Sequence, residues 1–232
     1  VTSETRKALL EVDPDEGRII RTMDTGQETS HMVAVTPDGR RAFVANIRSG
    51  SVTALDLEKG IRLAIIPTGS GAEGIAVTPD GREVWVTNRD ADTVSVIDTG
   101  SLRILKTLPS LSFPIRAKAT PDGRHVLVSN ARSGEVAVFN ADSLEEEHRI
   151  SLDLKAHQTR GRLFGSRFGD SSVPIGILIL PDGVHAYVAH ANADLISIVD
   201  LTHWKTAGFL TAGKEPDGMG YSALEVASPS RS

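Results

Sequence analysis

A Pro-Asp-Gly tripeptide stands between an apolar run and a second strand at four places along the chain, Pro37-Asp38-Gly39, Pro79-Asp80-Gly81, Pro121-Asp122-Gly123 and Pro181-Asp182-Gly183. The first three copies are 42 residues apart (79 − 37 and 121 − 79) and the last gap is 60 (181 − 121), which implies an 18-residue insertion (60 − 42). A fixed period of this size means one supersecondary unit per copy, each burying its apolar faces on its neighbours.

The units share one grammar. An apolar run such as Gly74-Ile75-Ala76-Val77 precedes the tripeptide. Proline presets φ for a tight turn, Asp bonds nearby backbone, and Gly accepts positive φ. A second strand follows (Arg41–Asn46, Glu83–Asn88), then a polar turn, an alternating third strand (Thr93–Asp98) and a poorer fourth (Arg103–Leu108). Four short antiparallel strands in each ~40-residue unit predict a blade of a β-propeller, with strands a to d running from the axis outwards. No stretch sustains a 3.6-residue apolar period, which argues against a helical solenoid.

The fold expected is therefore all-β: a β-propeller of four complete four-stranded blades plus a split or partial fifth, in one domain over 1–232. The complete blades are expected at about 31–68, 73–110, 115–152 and 175–211. Residues 1–26 align with the end of a strand b and with strands c and d. Residues 214–226, through Pro216-Asp217-Gly218, align with a strand a. Two closures compete: a defective five-bladed ring, or a segment of a larger propeller, which the mid-strand start favours. An open ring would expose strand edges and promote self-association.

Composition narrows the partners. The net charge is −5, which speaks against nucleic acid, and the absence of Cys excludes thiolate chemistry and disulfides. No apolar run is long enough to span a membrane as a helix.

The strands Phe43-Val44-Ala45-Asn46 and Trp85-Val86-Thr87-Asn88, with Val94 to Asp98 and the Gly74 to Gly81 stretch, resemble the YVTN (YncE-like) β-propeller repeat. The resemblance implies a propeller, commonly of seven blades, exported to the periplasm or the extracellular space. It implies no single chemistry, since such repeats occur in binding scaffolds and beside lactonase-type and redox-cofactor propellers.

Register identifies the candidate site. The start of strand a carries His31, Glu73, Ile115, Ile175 and Asp217; the next position carries Met32, Gly74, Arg116, Gly176 and Gly218. Rotational symmetry would gather these at one end of the central channel. There His31, Glu73 and Asp217 would hold a divalent metal or act as acid and base, and Arg116 would grip an anion. The alternative is ion pairing across the channel. His190 stands where other repeats have Asn46, Asn88 and Asn130 and is a further ligand candidate, with a satisfied turn residue as the alternative. The Asn residues themselves are expected to take left-handed φ. Asp56, Asp98 and Asp200 are expected to cap turns. The insertion, 153–172, joins strand d to strand a and should overhang the face that carries the b–c turns. Its Arg160, Arg162 and Phe164 are candidate ligand contacts, with His157 able to swing towards the axis.

Gly69-Ser70-Gly71-Ala72-Glu73-Gly74 spells G-x-G-x-x-G, but a strand follows instead of a helix, so it is no dinucleotide site. The favoured function is an exported binding scaffold presenting its loop-rich face to a protein or small ligand. The alternatives are a lactonase-type hydrolase with a divalent metal near the channel, and an accessory of a periplasmic redox system.

Overall fold

The structure, a computed structural model, describes residues 1–110, 112–152, 154–156 and 160–224. Asp153, residues 157–159 (with His157) and residues 225–226, all within the expectations above, lie outside the described residues. A three-stranded sheet opens the chain: β1 (Thr2–Ser3), β2 (Ala8–Asp13) and β3 (Arg18–Asp24). Four four-stranded sheets follow. They are β4 (Ser30–Val35) to β7 (Ile61–Pro67), β8 (Ala72–Val77) to β11 (Arg103–Pro109), β12 (Pro114–Ala119) to β15 (Glu145–Ser151), and β16 (Pro174–Ile179) to β19 (Lys205–Thr211). Every pairing is antiparallel between sequential strands. This is the expected all-β propeller architecture, with four complete blades and a partial fifth.

Alternation along each strand explains the core. Phe43 and Ala45 face the following blade, where they pack with Ile75 and Val84, while Ala42 and Val44 face the first sheet with Leu9 and Met23. Both faces of an inner strand are thus buried, one against each neighbour. Trp85 and Phe139, with ring centroids 5.9 Å apart, fill the gap between the second and third blades. The innermost strands β4, β8, β12 and β16 contact one another in sequence and so surround an axis.

The Pro-Asp-Gly turn is built as its residues require. Gly39 has φ 70° and its N–H bonds Thr36 O at 2.8 Å. Asp38 Oδ1 accepts from Thr36 Oγ1 (2.6 Å) and from Arg40 N–H (3.0 Å), and these bonds hold its pKa below the ordinary value. The turns at Asp80 and Asp122 repeat this pattern. At the far end of strand c, Asp56, Asp98 and Asp200 accept backbone N–H groups from the following turn at 2.6–3.1 Å, as expected. Asn140 does the same.

Two expectations need correction. Asn46, Asn88 and Asn130 do not take left-handed φ; in these turns positive φ falls on Gly50, Asp92, Gly134 and Asp194. The Asn side chains instead clasp three strands inside the blade. Ser30 Oγ donates to Asn46 Oδ1 at 3.0 Å, and Asn46 Nδ2 donates to Thr53 Oγ1 at 3.0 Å. His190 makes the same clasp through larger atoms, with Ser172 Oγ 2.8 Å from Nδ1 and Ser197 Oγ 2.7 Å from Nε2. It is fully buried, and burial pushes its pKa down to about 4. His190 is therefore a structural node and not a ligand contact. The second correction concerns 214–226: residues 212–224 form no strand. The strand that residues 214–226 should pair with is only two residues long here (Thr2–Ser3), and Pro216 offers no N–H to a ladder.

The clasp is incomplete twice. Ala72 stands where Ser30 stands, leaving Asn88 Oδ1 without a partner among the described residues; Ala137 stands where Thr53 stands, leaving Asn130 Nδ2 so. A buried unpaired polar atom costs about 1–3 kcal/mol. Ala72→Ser and Ala137→Ser should each raise the unfolding free energy by about 1 kcal/mol, measured by denaturant titration. His190 carries a separate expectation. The unfolded chain takes up a proton near pH 6.5 while the folded imidazole resists until about pH 4, so stability falls as pH drops through that window. The loss is roughly 3 kcal/mol, and His190→Asn should flatten that part of the stability–pH curve.

Candidate functional site

Each inner strand begins with a bulge. The register slips between Ser30 and Met32, between Ala72 and Ile75, between Pro114 and Arg116, and between Pro174 and Ile177. A bulge re-aims side chains, and here it turns the first residues of strand a towards the axis. Close packing helps: a Cβ on Gly74 would lie 2.5 Å from Ile115 O, so only Gly lets the neighbouring inner strand approach.

The structure brings His31, Glu73, Arg116 and Asp217 together. Arg116 Nη1 donates to Glu73 Oε1 at 2.7 Å, and Arg116 Nη2 lies 3.6 Å from Asp217 Oδ2. His31 Nε2 lies 3.7 Å from the same Glu73 Oε1, and His31 Nδ1 lies 2.6 Å from Glu4 Oε1. Arg89 closes the other side by pairing with Glu73 Oε2. Glu73 is buried, so its charge depends on this double guanidinium contact. Arg116 and Asp217 of this group line a channel of about 500 Å³, together with Lys118 and apolar residues of the inner strands such as Val33, Ile75, Ala117 and Ile177.

This arrangement is an alternating chain of acids and bases, not a ligand set. Among the described residues no group of three or more His, Asp or Glu is placed to hold a metal ion. Glu73 has both oxygens taken by arginines, and Asp217 faces Arg116. His31, Glu73 and Asp217 therefore do not fit a divalent metal as they stand.

The insertion packs down over the b–c turns, and this corrects the reading of Arg162 as a ligand contact. Arg162 has a side chain only 2% exposed; it forks onto Asp194, with Nη2 2.6 Å from Oδ2, and Nη1 reaches Ala191 O at 3.2 Å. This pairing raises its pKa further. Phe164 packs half-buried on Phe168, with ring centroids 5.6 Å apart. Arg160 is exposed. Asp194 also accepts the N–H of Glu215 at 3.0 Å, and Glu215 Oε1 accepts Leu163 N–H at 2.5 Å. One carboxylate thus pins both the insertion and the stretch leading to Asp217.

Glu4, Arg89 and Phe113 escaped the sequence reading. Phe113 is buried against Phe168 at 4.9 Å, beneath the guanidiniums of Arg89, Arg132 and Arg167. A signal existed: an arginine lies one or two positions after the clasp Asn in three repeats, as Arg48, Arg89 and Arg132.

Residues 62–149 match the family model "Lactonase, 7-bladed beta-propeller". The match spans Glu73 and Arg116 but fewer than half of the 232 residues. No curated protein matches. Among solved structures, the chain is similar to a protein described as a 6-phosphogluconolactonase from Bacteroides uniformis, at 20% identity and TM-score 0.73, covering 93% of this chain and 67% of that one. It is also similar to Kuenenia stuttgartiensis hydrazine synthase, at 16% identity and TM-score 0.63, covering 93% and 83%. At these identities the likeness concerns the propeller fold.

Because Arg162 is buried, Arg162→Ala leaves Asp194 facing a cavity. It should cost about 3 kcal/mol, the lower end for a broken buried pair, measured by denaturant unfolding, and should speed proteolysis within 160–170.

Proposed function

We propose that the channel end holding His31, Glu73 and Arg116 binds and hydrolyses a small lactone. The observation that carries this reading is the convergence of an imidazole, a buried carboxylate and a guanidinium, from different sheets, beside the channel that Arg116 lines. The partial match to a lactonase family model and the likeness to a protein described as a 6-phosphogluconolactonase support it.

The chemistry asks little more. Glu4 accepts from His31 Nδ1–H and so leaves Nε2 free to take a proton from water. The resulting hydroxide adds to the acyl carbon while Arg116 donates to the developing oxyanion. The ring C–O bond then breaks, and the proton on His31 passes to the departing alkoxide. Glu73 holds Arg116 in place and offsets the charge of the imidazolium. No step calls on a metal.

The propeller resemblance that implies export belongs to the same proposal: the hydrolase works in the periplasm or outside the cell. The scaffold reading draws on a different surface, the loop face covered by the packed insertion, and needs no chemistry at the channel. Likeness to hydrazine synthase supplies the fold and no redox role.

Five- and six-membered sugar lactones, followed by acid release, test the hydrolytic reading. His31→Gln should lower kcat about 100-fold, Arg116→Lys should lower kcat/KM similarly, and EDTA should change nothing. Absence of turnover in the unmodified protein, or full activity in His31→Gln, would overturn it.

A further inference from the structure

Outside the channel, the most unusual cluster lies where the insertion meets the turns of the second and third blades. Phe113 and Phe168 pack 4.9 Å apart, and both are buried. Arg167 lies 4.8 Å from the first ring and 5.2 Å from the second. Arg132 lies 5.9 Å from each. Two guanidiniums are therefore held over the same pair of rings.

Attraction to a ring face leaves a guanidinium's N–H groups available, and each arginine has five donors. Those donors are nearly idle. Among the described residues Arg167 makes only a 4.0 Å ion pair with Asp90 Oδ1, beyond hydrogen-bond reach. Arg132 makes one 3.5 Å contact with Asp92 Oδ2. Asp92 is anchored, because its Oδ1 accepts the N–H of Phe113 at 2.7 Å. Asp90 Oδ2 faces Arg89 Nε at 3.8 Å. Arg89, the third cation over Phe113, is committed to Glu73. The side chains of Arg132 and Arg167 remain 50% and 54% exposed.

We infer that Arg132 and Arg167, set on the Phe113–Phe168 pair, form an oxyanion-binding site on the loop face, for a phosphoryl or carboxylate group bridging the two forks. Pre-organised forks lose little entropy on binding and match such groups bidentately. Asp90 and Asp92 keep the empty site from carrying two uncompensated cations. The inference does not depend on lactone hydrolysis.

The test is a titration of nitrogen-labelled protein with inorganic phosphate, and separately with succinate, at low salt so that screening does not hide the effect. The Nε–H signals of Arg132 and Arg167 should shift and saturate with at least one probe. Saturation with phosphate alone assigns a tetrahedral group and with succinate alone a carboxylate; either outcome supports the site. Arg132→Gln and Arg167→Gln should each weaken binding about tenfold. Phe168→Leu keeps both charges and should weaken it several-fold, with its melting temperature recorded alongside. Arg103→Gln, on the exposed outer strand β11, and His31→Gln should leave binding unchanged. Shifts that never saturate, or equal binding in the Arg132→Gln/Arg167→Gln double variant, would overturn the site.

Discussion

Burial of sheet faces against neighbouring sheets is the constraint on which the structure depends, and it is met on both sides for the sheets β4–β7, β8–β11 and β12–β15. A four-stranded sheet of this size cannot stand alone in water, and its two apolar faces leave no solvated side. Only neighbours on both flanks satisfy it, and twisted sheets stacked this way fan around an axis. The inner strands then have nowhere to go but towards one another. Their first residues become neighbours although Glu73 and Arg116 are 43 positions apart (116 − 73). The chemistry at the channel is thus a by-product of packing symmetry, sharpened by a bulge in each inner strand.

Charge arrangement then decides what that convergence can do. A buried carboxylate such as Glu73 is tolerated only with close partners, and it has two guanidiniums and an imidazole around it. Those contacts tie its oxygens down, which disfavours metal ligation and favours fixed donors aimed at a ligand. A similar arrangement appears on the loop face, where Arg132 and Arg167 lie over Phe113 and each has a carboxylate nearby, Asp92 and Asp90.

The strands were legible because their signals are local. Proline, Asp and Gly at fixed offsets specify the a–b turn, and alternation of Val, Ile and Ala specifies which face is buried. Convergence of His31, Glu73, Arg116 and Asp217 was legible too, since it follows from repeat register alone. What register could not show is partnership. Arg162 lies in the insertion, which has no copy elsewhere, and its partner Asp194 is 32 residues away (194 − 162). The clasp made by His190 and the Asn residues was hidden for a related reason: it depends on Ser172, just before β16, or on Ser30 in β4, which only the pairing reveals. Residues 214–226 align with a strand a in sequence, but 212–224 form no strand.

Asp194 has a consequence for communication across the molecule. It is the knot shared by two ropes: one runs out through Arg162 into the insertion, the other inward through Glu215 to Asp217 beside Arg116. Glu215 stands two residues before Asp217 (217 − 215), so one short stretch of chain joins the contacts of the insertion to the guanidinium at the axis. The rim and the hub of this wheel are therefore not mechanically independent.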